Sequence, residues 1–183
     1  MARRKLEELN LLDDFLFGSM VSYPGIGEQF SRILLKIIFQ KDFGRLKVVP
    51  QRPLLGNDTS LHGARLDVYL EEDSLSEDAP ENATIYDVEP DNNSGTQAVT
   101  ALPKRVRFYH AKIDSDSLES GKTYHALKNV IILMIMPYDP FGLKRMVYTI
   151  QNSCREEPQM PYDDGAKTLF LYTRGTAGNP PEV

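Results

Sequence analysis

Arg65-Leu66-Asp67-Val68-Tyr69-Leu70 and Ile85-Tyr86-Asp87-Val88-Glu89-Pro90-Asp91 decide the fold of this chain. Both segments alternate as strands do. The acidic stretch between them, Glu72 to Asn82, carries Ser and Pro and reads as an exposed hairpin loop. Closing that hairpin puts Asp67 and Glu89 on neighbouring strands of one sheet. Two carboxylates held a few ångström apart repel, and each costs free energy to bury. A divalent cation relieves both problems, and hard oxygen ligands of this kind suit Mg²⁺ or Mn²⁺. The backbone carbonyl of Pro90 is a candidate third ligand.

Working outward, a helix is expected over about residues 27–40, with Phe30, Ile33, Leu34, Ile37 and Ile38 forming its apolar face. Ahead of it, Asp13 or Asp14 caps a short element that turns Phe15, Leu16 and Phe17 inward. A strand is expected near Lys47–Pro53, followed by a loop through Leu55-Gly56-Asn57-Asp58. After the hairpin, Pro103 is expected to open a helix over about residues 102–118. Its seam is Leu102, Val106, Tyr109 and Ile113. Val130–Pro137 reads as a central strand buried on both faces. Met146–Gln151 and Lys167–Tyr172 read as two more strands. Residues 1–175 are expected to form one domain and 176–183 a flexible tail.

Composition narrows the function classes. The 183 residues, 41% hydrophobic and net charge −5, suit one globular domain with a sizeable core. The acidic balance argues against general coating of nucleic acid, yet leaves room for a local basic surface. A single cysteine, Cys154, excludes an internal disulfide and a cysteine-based zinc cluster. Basic Met1-Ala2-Arg3-Arg4-Lys5 leads into Leu6-Glu7-Glu8-Leu9, not an apolar region, so no signal peptide is expected. The longest apolar run, Val130 to Met136, is far too short to cross a membrane. A cytoplasmic location is expected.

Phosphodiester hydrolysis needs a polarised phosphate, an activated water and positive charge for the developing oxyanion. The 102–118 helix offers that charge through Lys104, Arg105, Arg107, Lys112 and His110. At about 100° per residue, Arg105 and Lys112 flank one side of the buried seam and His110 the other. Lys104 and Arg107 point away, towards a nucleic-acid backbone or solvent. Other polar residues have plainer readings. Glu28 suits the helix dipole, Tyr109 belongs to the seam, His62 and His125 read as surface residues, and Cys154 as an ordinary thiol.

Five ordered segments resemble the Rpn family of recombination-promoting nucleases, also called PD-(D/E)XK nuclease family transposases. Leu12-Asp13-Asp14-Phe15-Leu16-Phe17 resembles the family's opening Asp-x-x-Phe signature, and Gly63-Ala64-Arg65-Leu66-Asp67-Val68 the strand with its first catalytic Asp. Tyr86-Asp87-Val88-Glu89-Pro90-Asp91 stands where the family has Glu-x-Gln. Leu102 to His110 resembles the following helix, and Pro137-Tyr138-Asp139-Pro140-Phe141-Gly142 a turn after the core strand. The resemblance implies a restriction-endonuclease-like α/β fold, with a mixed central sheet flanked by helices. It also implies Mg²⁺-dependent DNA endonuclease activity linked to mobile-element recombination. Asp67 and Glu89 become metal ligands; DNA is the expected partner and a homodimer a possible assembly.

Asp91 departs from the family pattern. An ionised Asp cannot donate the hydrogen bond that a Lys or Gln would. Three options stay open: Asp91 is an additional metal ligand, a basic residue such as Arg105 fills the gap, or the site is degenerate. The last option makes the chain a nuclease-fold module that binds nucleic acid or a protein partner. His110 stands where relatives commonly carry Gln. Family members usually continue into a mostly helical region that this chain is expected to lack.

Overall fold

The two carboxylate-bearing segments lie side by side in an antiparallel pair, and a six-stranded sheet is built around them. The computed structural model describes residues 10–54, 63–72 and 83–178. The expected loop at residues 55–58, His62, most of the hairpin loop, the first nine residues and the last five lie outside the described residues. In chain order the elements are α1 (Asp14–Ser22), α2 (Ile26–Phe39), β1 (Leu46–Leu54), β2 (Ala64–Glu72), β3 (Thr84–Pro90), α3 (Thr96–Ser117), β4 (Asn129–Met136), β5 (Val147–Gln151) and β6 (Ala166–Tyr172). A 3₁₀ turn at Tyr124–Ala126 leads into β4.

The strand order is β1-β2-β3-β4-β6-β5. β1, β2 and β3 pair antiparallel, β3–β4 and β4–β6 pair parallel, and β5 closes the far edge antiparallel to β6. The sheet is therefore mixed, with helices on both faces. Alternation along the central strands explains the two cores. Tyr86, Val88, Leu133 and Ile135 join Leu35, Ile38 and Phe39 of α2. Ile85, Val130, Ile132 and Met134 join Leu102, Val106 and Ile113 of α3. Asp87 and Glu89 fall on the α3 side by the same alternation. No helix among the described residues is long and apolar enough to cross a membrane.

Besides Phe15, which is 68% exposed rather than turned inward, three expectations need correction. Helix α3 begins at Thr96, with Pro103 inside it. Proline removes one backbone donor there, but Val99 adds a turn to the seam by packing against the α3-side core. Second, α2 buries Gly27, Ser31, Leu35, Ile38 and Phe39, while Ile33 and Ile37 are 52% and 67% exposed. The cause is a close approach to α1: a Cβ at Gly27 would lie 1.9 Å from the Val21 carbonyl oxygen. Only a face carrying small residues can come that near, so Gly27 and Ser31 turn the helix. Third, residues 176–178 are tied down rather than loose. The amides of Thr176 and Ala177 donate to the Lys144 carbonyl at 2.8 and 2.9 Å, and Met146 N–H donates to the Ala177 carbonyl at 2.9 Å. Backbone pairing needs no apolar period, which is why composition missed it.

Candidate active site

Asp67 sits just past the end of the β2–β3 pairing and in a one-pair gap of the β1–β2 pairing. The β2–β3 ladder runs from Glu71↔Ile85 to Val68↔Val88, one residue short of Asp67 and Glu89. The β1–β2 ladder has Pro50↔Val68 and Arg52↔Leu66 but no pair between Gln51 and Asp67. Side chains take over at that point. Asp67 N–H donates to Glu89 Oε1 at 2.7 Å, and Gln51 Nε2 donates to Asp67 Oδ1 at 3.0 Å. Asp67, Gln51 and Pro90 line an open cleft of about 520 Å³, whose other wall is Phe15, Gly18, Ser19 and Ser22 of α1. Asp13 caps α1, accepting from Phe15 N–H at 3.2 Å.

Charge is concentrated beneath the cleft. Asp87 is fully buried, and neither of its oxygens has a hydrogen-bond donor among the described residues. Burial pushes its carboxyl well above the usual range, and the charges of Glu89 and Asp67 push further. Burial also raises Glu89 to about 8, with Asp67 adding to the rise and the Asp67 amide and Arg105 opposing it. At neutral pH the neutral acid is the favoured form of Glu89. Tyr109 is raised to about 12, by burial first and the Glu89 charge second, so its hydroxyl stays protonated near these carboxylates.

Asp91 is held differently. Its Oδ2 pairs with Arg105 Nη2 and its Oδ1 accepts from Asn93 N–H at 2.7 Å. Both oxygens therefore already have partners. Its own N–H donates to the Ile135 carbonyl at 2.8 Å, extending the β3–β4 pairing past Pro90. Arg105 interacts with Glu89 electrostatically as well, so one guanidinium serves both carboxylates. Tyr138, raised to about 12 by burial and then by the Asp91 charge, completes this side.

The remaining expected residues of α3 are spread around it. Lys104 and Arg107 are exposed. Lys112 is half-buried, with its ammonium 5.7 Å from the centre of the Phe108 ring. His110 is set apart from the carboxylates: its Nε2 lies 3.0 Å from Thr168 Oγ1 on β6. Burial lowers its pKa, with Asp164 opposing, so the ring is neutral at pH 7 and brings no positive charge to a phosphate. Gln51 and Asp87 were not anticipated as site residues. Asp87 lies two residues before Glu89, on the same strand face, so alternation alone could have found it. Gln51 has no comparable signal.

Among the described residues no three His, Cys, Asp or Glu side chains converge on a common point. Asp67 and Glu89 do adjoin, however, and a cation beside them would favour the ionised form of a carboxyl that burial otherwise keeps protonated. That donor set fits Mg²⁺ or Mn²⁺, hard cations that keep several waters and need only one or two carboxylates. No family model matches this sequence, and no curated protein or solved structure matches it either.

Proposed function

We propose that this chain is a metal-dependent DNA endonuclease with the restriction-endonuclease-like PD-(D/E)XK fold, of the Rpn type associated with mobile-element recombination. The observation that carries this reading is the Asp67–Glu89 junction. Asp67, on the cleft wall, donates its backbone N–H to the buried carboxyl of Glu89 on the neighbouring strand, which brings the two acidic residues together at the end of the β2–β3 pairing. The run α2-β1-β2-β3-α3-β4, with three antiparallel strands leading through a helix to a parallel fourth, supports the fold assignment.

Asp67 and Glu89 would hold the cation, with the Pro90 carbonyl beside them. When bound, the ion would polarise a phosphate oxygen and lower the pKa of a water. Hydrolysis adds that water's oxygen to phosphorus, breaks one P–O ester bond and leaves a protonated alcohol. Glu89 must lose its proton for the site to load. Arg105 favours that loss and places fixed positive charge where the oxyanion develops. Lys104, Arg107 and Lys112 would contact the DNA backbone outside the cleft. Mg²⁺ or Mn²⁺ should raise the melting temperature, and Asp67→Ala should abolish the rise. No metal-linked rise in the unmodified protein would count decisively against the reading.

One observation favours a second reading. Asp91 is neutralised by Arg105 and Asn93, and no Lys or Gln stands at that motif position. A module that binds nucleic acid or a protein partner without cutting would look like this. It predicts salt-dependent DNA binding with no cleavage in either metal.

A further inference from the structure

Gln51 is an anomaly within its strand. It lies in β1 at φ +53°, the left-handed region that a non-glycine residue enters at a cost. It sits between Pro50↔Val68 and Arg52↔Leu66, opposite Asp67, in the gap of the β1–β2 ladder. Its amide donates to Asp67 Oδ1 at 3.0 Å, and the side chain lines the cleft. Pro50 and Pro53 belong to an edge strand, where proline is tolerated, but neither requires its neighbour to take a positive φ. Strain of this kind persists where the surroundings hold it in place, and it clusters at sites of function.

We propose that Gln51 is a positioning residue of the cleft. Its backbone is held in a strained state so that its amide fixes the Asp67 carboxylate, supplying the neutral side-chain N–H donor that position 91 lacks. This rests on the reading of Asp67 as a metal ligand. An amide suits the task because it donates without adding charge beside a cation. Residues that orient metal-binding carboxylates are worth about 10–100-fold in metal affinity or activity when removed.

The test compares Gln51→Ala with Gln51→Gly. Both lose the amide, but only glycine relieves the backbone. The metal-free glycine variant should melt about 2–4 °C above the alanine variant. Both should bind Mn²⁺ about 10–100-fold more weakly than the unmodified protein, with kcat for DNA cleavage falling and KM little changed. Gln51→Asn, which keeps a neutral amide donor and tolerates a positive φ, should hold cleavage within about tenfold.

Equal melting temperatures for the alanine and glycine variants would overturn the proposal, as would unchanged Mn²⁺ affinity in both. Unmodified protein that binds Mn²⁺ but does not cleave, with affinity still lost in the Gln51 variants, would sink the nuclease reading and leave Gln51 in its role. Absence of Mn²⁺ binding by the unmodified protein would overturn both.

Discussion

Glu89 is buried beneath the cleft at an electrostatic cost, and its titration makes that cost measurable. Its folded pKa of about 8 lies above the ordinary 4.5. Between those values the folded protein holds a proton that the unfolded chain has released. Linkage then requires stability to fall as pH rises through that window. Glu89→Gln keeps an oxygen for the Asp67 amide and removes the charge. The variant should therefore gain melting temperature over the unmodified metal-free protein at pH 8 but not at pH 5. Asp87 shifts in the same direction, so the variant's pH slope should shrink without vanishing. A slope unchanged from the unmodified protein would show that Glu89 does not hold the proton. At this scale the sequence was informative for carboxylates and nearly silent for Gln51. The hairpin reading put Asp67 and Glu89 on neighbouring strands. Helix phase pointed both Arg105 and His110 at the site; Arg105 pairs with Asp91, whereas His110 meets Thr168 on β6. A positive φ at a non-glycine residue leaves no compositional trace, so Gln51 was invisible until its neighbours were in place.

At the scale of elements, the two departures in the helices have separate origins: in α2 the apolar period does not say which face can come close, and in α3 a proline stands inside the helix rather than at its start. In α2, Ile33 and Ile37 match the helical period as well as Leu35 and Ile38 do, yet the small side chains of Gly27 and Ser31 decide which stripe turns inward. Two outcomes follow. Gly27→Ala forces a Cβ against the Val21 carbonyl and should cost about 1–3 kcal/mol, read as a drop in melting temperature. Leu35→Ala should cost about 2–5 kcal/mol, whereas Ile37→Ser, on the exposed stripe, should stay within about 0.5 kcal/mol. A larger loss at position 37 than at 35 would refute the observed helix rotation. In α3, reading Pro103 as the first helical residue hid the turn that carries Val99. Proline favours the first turn of a helix, but packing of Val99 and Leu102 against the core outweighs the single donor it removes. The strands were easier to read because a wrong register would have turned every buried side chain of β3 and β4 to the opposite core.

At the scale of the molecule, a mixed sheet holds Asp67 midway along β2 beside Glu89 near the end of β3, with α1 across the cleft and α3 on the opposite face of the sheet from α2. Each layer contributes to the candidate site. α1 contributes a wall of small side chains and Phe15, β1 contributes Gln51, and α3 contributes Arg105 and Tyr109. The net charge of −5 sets a further condition on any DNA complex: binding must run through local cations such as Lys104 and Arg107, with affinity falling as salt rises. The most direct test of the central claim is plasmid cleavage in Mg²⁺ and in Mn²⁺, with Asp67→Ala and Glu89→Ala beside the unmodified protein. The account predicts nicking or linearisation by the unmodified protein, and loss of at least about 100-fold in rate in both variants. No cleavage in either metal, or cleavage that survives both substitutions, would contradict it.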